Sequence, residues 1–166
     1  MNVKVVQRRL WEQSRQHRNH RDSSLPLFPV DRFERRLRNL MHQPQWIAAA
    51  CDRVLNRSRR KAGGVDRITA SEFRQNCRAN LESLRLELKR GVYRPQPLRR
   101  TVIPKPNGKL RKLGIPCLRD KIVQEAIRMA LEPIIEVEFH HSSYGFRPNR
   151  STHHAVLRCQ QMLQKR

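Results

Sequence analysis

The chain has 166 residues, with 36 Lys plus Arg against 14 Asp plus Glu and a formal charge of +22 at neutral pH. An excess of this size on a 19.8 kDa chain excludes an ordinary neutral metabolic enzyme as the default reading and points to a polyanionic partner. Of the 36 cations 28 are Arg, which favours planar, bidentate recognition of phosphate over charge carried for solubility alone.

A hydrophobic content of 37% supports a modest core, in one domain of usual size or two very small ones. No apolar run approaches the roughly 18 residues that cross a bilayer, and the first residues lack the apolar stretch of a signal peptide. The expectation is a soluble, non-secreted protein, cytoplasmic in a bacterium or organellar. Cys51, Cys77, Cys117 and Cys159 lack the paired spacing of a zinc or redox motif, so reduced structural thiols are expected. Residues 1–62 carry +10, residues 63–117 carry +9 and residues 118–166 carry +3, so the basic footprint lies in the first two thirds.

From Val3 to Arg21 the pattern is polar and Arg-rich, with Val6, Leu10 and Trp11 as its few apolar points. It predicts a marginal helix at most, one that orders on RNA or a neighbour. Asp31 starts a better helix, with Phe33, Leu37, Leu40 and Met41 on one side and Arg32, Arg35, Arg36 and Arg38 around the rest. Trp46 to Leu55 adds further helical turns that run into the cationic cluster Arg57, Arg59, Arg60 and Lys61. That cluster meets RNA or is a solvated helix end, since helix C-termini attract cations in any case.

Thr69-Ala-Ser-Glu72 reads as a capping box, followed by one helix whose apolar stripe is Phe73, Cys77, Leu81, Leu84 and Leu88, with Gly91 at its left-handed cap. The period then changes. Leu98 to Lys105 and Lys109 to Ile115 flank Pro106-Asn107-Gly108, a three-residue hairpin turn. That loop length sets Lys105 opposite Lys109 and Ile103 opposite Arg111, so Lys105, Lys109 and Arg111 share one face near the tip. Such a cationic face suits a phosphate ligand, although hairpin tips also carry charge merely to protect edge strands.

Arg119 to Glu138 returns to helical period, with Pro133 placed to kink or end the helix. The loop Ser142-Ser-Tyr-Gly-Phe-Arg-Pro148 follows, and Ser151 caps a last helix with Ala155, Val156, Cys159, Met162 and Leu163 on one side. His140-His141 and His153-His154 lack the Cys pair or carboxylate pair of a metal site and read as surface or loop-packing residues rather than metal ligands. The fold class expected is α+β, mostly helical with a β-hairpin. So small a sheet cannot bury every helix face, and some faces are expected to dock on a further segment or partner.

Taken in order, Gly64-Val65-Asp66-Arg-Ile-Thr69, Gly91-Val-Tyr93-Arg-Pro95-Gln-Pro97, Ile103-Pro-Lys105-Pro-Asn-Gly108-Lys109-Leu-Arg111-Lys-Leu-Gly-Ile-Pro116, Asp120-Lys-Ile-Val-Gln124, Leu131-Glu-Pro133 and Ser143-Tyr-Gly-Phe-Arg-Pro-Asn-Arg-Ser151 resemble the amino-terminal part of group II intron reverse transcriptases, or maturases. The resemblance covers residues 45–166. It departs from the usual pattern at Arg67 and Asn149, where Gly is usual, at Lys112 for Pro, at Cys117 for Thr and at Lys121 for Arg.

The resemblance implies a basic helical N-terminal extension over residues 1–62 and a reverse-transcriptase fingers subdomain over residues 63–166, without the palm that carries the catalytic aspartates. It implies that Lys105 and Arg111 close over the incoming nucleotide triphosphate, with Lys109 there or on the template backbone. It further implies that Tyr144, Phe146, Arg147 and Arg150 lie along template RNA; the alternative is that Tyr144 and Phe146 are core aromatics and only the arginines face outward. No Asp follows Asp120 and no Tyr-Ala-Asp-Asp segment occurs, while two-metal nucleotidyl transfer needs clustered carboxylates. These residues alone are therefore expected to grip template RNA and dNTP phosphates without polymerising and to hold no cofactor, Mg2+ entering only with a palm from the rest of a longer protein or a partner chain. Two readings stand: a portion of an enzyme for RNA-directed DNA synthesis and intron splicing, or a non-catalytic RNA-binding module of a ribonucleoprotein. A generic basic protein of an RNA particle leaves the ordered blocks unexplained.

Overall fold

A computed structural model describes residues 2–20, 30–57 and 63–164. Seven helices and one hairpin follow in order: α1 (Val3–His20), α2 (Val30–Met41), α3 (Pro44–Arg57), α4 (Ala70–Gln75), α5 (Cys77–Arg90), β1 (Arg99–Pro104), β2 (Leu110–Ile115), α6 (Leu118–Ile135), a 3₁₀ turn (Glu136–Glu138) and α7 (Thr152–Gln164). The α+β class holds, mostly helical around a two-stranded antiparallel sheet. The proline-containing stretch before Val30 and the side chains of Arg32 and Phe33 lie outside the described residues.

The core is built on α6, whose Ile122, Val123, Ala126, Met129, Ala130 and Ile134 are buried by helices on several sides. Trp46 of α3 is fully buried against it, and its indole Nε1 donates to the Ala126 carbonyl at 3.1 Å, which removes the cost of burying a polar N–H. A single apolar cluster runs from Leu10 through α2, α3, α4 and α5 to Ile134.

Helix α1 is a full helix packed on α6, so its ordering neighbour is this chain itself. Val3, Val6, Leu10 and Ser14 face inward, and the Ser14 hydroxyl, buried with Leu10, donates to the Leu10 carbonyl at 2.8 Å. Pro133 neither ends α6 nor leaves a gap in it, as the helix runs to Ile135. Proline has no N–H to give the carbonyl four residues back, Met129. The Gln7 amide of α1 fills that vacancy, its Nε2 donating to the Met129 carbonyl at 2.9 Å.

The stripe from Phe73 to Leu88 is present, but the single helix expected there is two. Asn76 leaves helical geometry at φ −116° and ψ 30° and separates α4 from α5; asparagine competes poorly inside helices because its amide favours local turns. The Thr69–Glu72 capping box forms with both bonds in place, and Gly91 closes α5 at φ 70°. Gly64 is required by close packing, since a Cβ there would stand 2.6 Å from the Cys117 backbone nitrogen. Cys51 and Cys77, 26 positions apart, bring their sulfurs to 3.8 Å. Burial, with the neighbouring thiol, pushes Cys51 up to about 12, so it stays protonated at neutral pH.

Candidate nucleic-acid interface

The hairpin register is the one its turn dictates. Arg99 pairs with Ile115, Ile103 with Arg111 and Pro104 with Leu110; beyond them Lys105 N donates to the Lys109 carbonyl at 2.8 Å and Gly108 N to the Lys105 carbonyl at 3.0 Å. Gly108 takes φ 74° to make the bulged turn. Alternation of side chains then sets Lys105, Lys109 and Arg111 on one face, all three exposed. None of the three is paired with a carboxylate among the described residues.

The base of the hairpin is fixed by buried charge. Asp120, in the first turn of α6 and 3% exposed, accepts the Tyr93 hydroxyl at 2.6 Å and the Gln96 N–H at 3.0 Å. The segment between α5 and β1 is thereby tied to the positive end of α6. Burial and the bond to the Asp120 carboxylate hold the Tyr93 hydroxyl well above the ordinary tyrosine value. Arg119 pairs with Glu87 of α5 and lies over the Tyr93 ring at 5.7 Å. A rigid root thus carries an exposed cationic tip.

The loop after α6 divides its predicted residues between two tasks. Arg147 is 7% exposed in its side chain and is held by Glu136 at 2.6 Å, by the carbonyls of His140 at 2.9 Å and Ser143 at 3.0 Å, and against the Phe139 ring at 5.0 Å. Arg150 donates to the carbonyls of His141 and Ser143 and stacks at 5.1 Å over the half-buried Tyr144. Phe146 is fully exposed at a strained φ of 57°. The alternative of aromatic anchors and outward arginines is therefore inverted at two positions: Arg147 is the anchor and Phe146 points out. At the end of α3, Arg57 is 65% exposed yet reaches Glu125 at 3.3 Å. Arg59, Arg60 and Lys61 lie outside the described residues.

Residues 103–166, from the hairpin onward, match the family model for reverse transcriptase (RNA-dependent DNA polymerase). The chain is 50% identical over 128 residues to Protein YkfC of Escherichia coli, an alignment covering 77% of this chain and 33% of that protein. It is 37% identical over 128 residues to the group II intron-encoded protein LtrA of Lactococcus lactis, covering 76% of this chain and 21% of the relative. A putative COX1/OXI3 intron 2 protein of Saccharomyces cerevisiae is 31% identical over 129 residues, 78% of this chain and 15% of the relative. The chain belongs to the group II intron reverse transcriptase and maturase family. It spans a third or less of the length of these relatives.

Within this group II intron family chain, three structural residues escape reading from sequence. Glu125, 7% exposed in its side chain, gathers Arg128 at 2.7 Å, Arg57 at 3.3 Å and Arg53 at 3.8 Å. Burial alone raises its carboxyl, but the Arg128 hydrogen bonds and the three positive charges outweigh that and leave it below the ordinary glutamate value. Asp120 and Gln7 are the other two. Only Asp120 carried a signal, as an acid at a helix start. No helix among the described residues is long and apolar enough to cross a membrane.

Proposed function

We propose that residues 63–166 are the fingers portion of a group II intron-encoded reverse transcriptase, that residues 1–62 are its basic extension, and that together they grip template RNA and incoming dNTP phosphates for RNA-directed DNA synthesis and intron splicing. The observation that carries this reading is the cationic face of Lys105, Lys109 and Arg111 on a hairpin whose root is locked by Asp120 and whose tip is free of carboxylates. A triphosphate carries several negative charges, and preset cations neutralise them without reorganisation. Arg57, Arg150, Tyr144 and Phe146 offer contacts to the strand by charge and stacking, with Arg147 shaping the loop that presents them. Arg59, Arg60 and Lys61 extend the basic surface beyond Arg57 in this reading.

Catalytic carboxylates and the Mg2+ they would hold belong, on this reading, to a palm supplied by the remainder of a longer protein or by a partner chain. Its docking surface is offered by the exposed Val156, Leu157, Met162 and Leu163 of α7 and by the part of an open groove of about 540 Å3 along α6 that Ile127, Leu131, Ile135 and Phe139 line. Exposed apolar area of this kind favours a palm-bound enzyme portion over a free-standing RNA-binding module. The test is the double variant Lys105→Ala, Arg111→Ala in the chain complemented by a palm segment. The KM for dNTP should rise tenfold or more, by roughly the 1.5–3 kcal/mol of a charge-assisted hydrogen bond, while RNA affinity changes little. Equal loss of both would contradict the triphosphate role of Lys105 and Arg111, and RNA binding with no contribution to synthesis by any palm would select the non-catalytic module.

A further inference from the structure

Between α1 and the loop after α6 lies a cleft of about 390 Å3, of whose lining only Arg147 and Arg150 have a part in the RNA contacts proposed above. One wall is Trp11, Arg15 and Arg18, at steps of four and three on one face of α1, and the other is formed by His140, His141 and Arg150. Arg15 stands 5.2 Å over the Trp11 ring, the two histidine rings lie 4.0 Å apart, and Arg18 donates to the Val137 carbonyl. Glu136 is the one carboxylate among the lining residues, and it is already paired with Arg147. Arg15, Arg18 and Arg150 have no carboxylate partner among the described residues, and Arg15 and Arg18 are exposed.

Flat aromatic surfaces beside unpaired guanidinium groups match the two parts of a nucleotide, a base to stack and a phosphate to hold. We infer that this cleft is a binding site for one nucleotide of single-stranded RNA, with the base against Trp11 and the His140–His141 pair and the phosphate against Arg15, Arg18 and Arg150. The inference rests on the RNA-gripping reading above and adds to it a site, separate from the hairpin tip, that only the N-terminal helix can complete. It also gives the Arg-rich face of α1 a use that its packing on α6 does not.

The chain contains two tryptophans, and Trp46 is fully buried, so fluorescence quenching by RNA reports on Trp11. The full 166-residue chain is titrated with single-stranded oligoribonucleotides, with duplex RNA and with adenosine monophosphate. Single-stranded RNA should quench Trp11, and Arg15→Gln should weaken its binding about tenfold and lower the salt slope by about 0.7. Lys89→Gln with Arg90→Gln, an exposed pair at the far end of α5, should alter affinity by less than about threefold. Arg15 is exposed and forms no hydrogen bond or ion pair among the described residues, only the contact with Trp11, so its replacement should leave the fold intact, and Arg150→Gln provides a second variant from the other wall. RNA binding that proceeds without quenching, or with unchanged affinity in both variants, overturns the cleft while leaving the RNA-gripping reading in place. Failure of the unmodified chain to bind RNA overturns both. Quenching by adenosine monophosphate at the same concentrations overturns the strand assignment in favour of a free nucleotide.

Discussion

Two of the positions where the chain departs from the family pattern are backbone positions. Arg67 and Asn149, each in place of a usual Gly, both have positive φ, at 56° and 58°. Asn tolerates that region through local hydrogen bonding, but Arg does not. The exposed Arg67 side chain makes no hydrogen bond or ion pair among the described residues to offset the strain, so Arg67→Gly should stabilise the chain by about 0.5–1 kcal/mol despite the extra freedom it gives the unfolded state, read as a higher midpoint in thermal unfolding. Glu125 shows the opposite case, a residue whose value is its charge. Glu125→Gln should cost about 1–2 kcal/mol in urea unfolding, moderated because its arginine partners reach solvent. Because its carboxyl sits below the ordinary value of 4.5 in the folded state, its contribution is complete above that pH and is lost as the pH falls through the folded value. The unfolding midpoint should accordingly drop on acidification below pH 4.5 in the parent chain and drop less in Glu125→Gln.

At the scale of elements, what local pattern controls could be read and what distant contact controls could not. The capping box at Thr69, the hairpin register and the helical span of α7 follow from spacing, because each is set by a cap, a turn or a period within one short stretch of sequence. Helix α1 was unreadable as a docked element. Its inward face includes a serine, and its key partner, Met129, is 122 positions from Gln7. Nothing in a polar, Arg-rich stretch announces that Pro133 has left a carbonyl open for it. This pairing gives a sharp test by double-mutant cycle. Gln7→Ala should destabilise by about 1 kcal/mol in the parent chain and by distinctly less after Pro133→Ala, which restores the missing backbone donor. Equal costs in the two backgrounds would show that Gln7 acts only through the Arg53 contact it also makes at 3.3 Å. The loop after α6 was half legible: its aromatic and Arg content marked it as functional, but Arg147 belongs to Glu136, eleven positions upstream.

At the scale of the molecule, the charge separates into parts with different work. Arg53, Arg57, Arg119, Arg128 and Arg147 are engaged by Glu125, Glu87 and Glu136, so part of the Arg excess holds helices together. The hairpin tip and the α1 cleft keep theirs unpaired among the described residues, which is the arrangement a polyanion requires. An apolar core built on α6 fixes both relative to one another, with α1 and the loop after α6 packed at its C-terminal end and the hairpin anchored at its N-terminal end through Asp120. The central claim, that this surface grips a single RNA strand, is tested most directly by the affinity of the 166-residue chain for a labelled single-stranded RNA across a salt series. With at least four unpaired cations engaged, log affinity should fall against log salt with a slope of about −3 or steeper, at roughly 0.7 per phosphate contact on a single strand. An affinity that stays flat from about 50 mM to 500 mM salt, or no binding at the low end of that range, would contradict it.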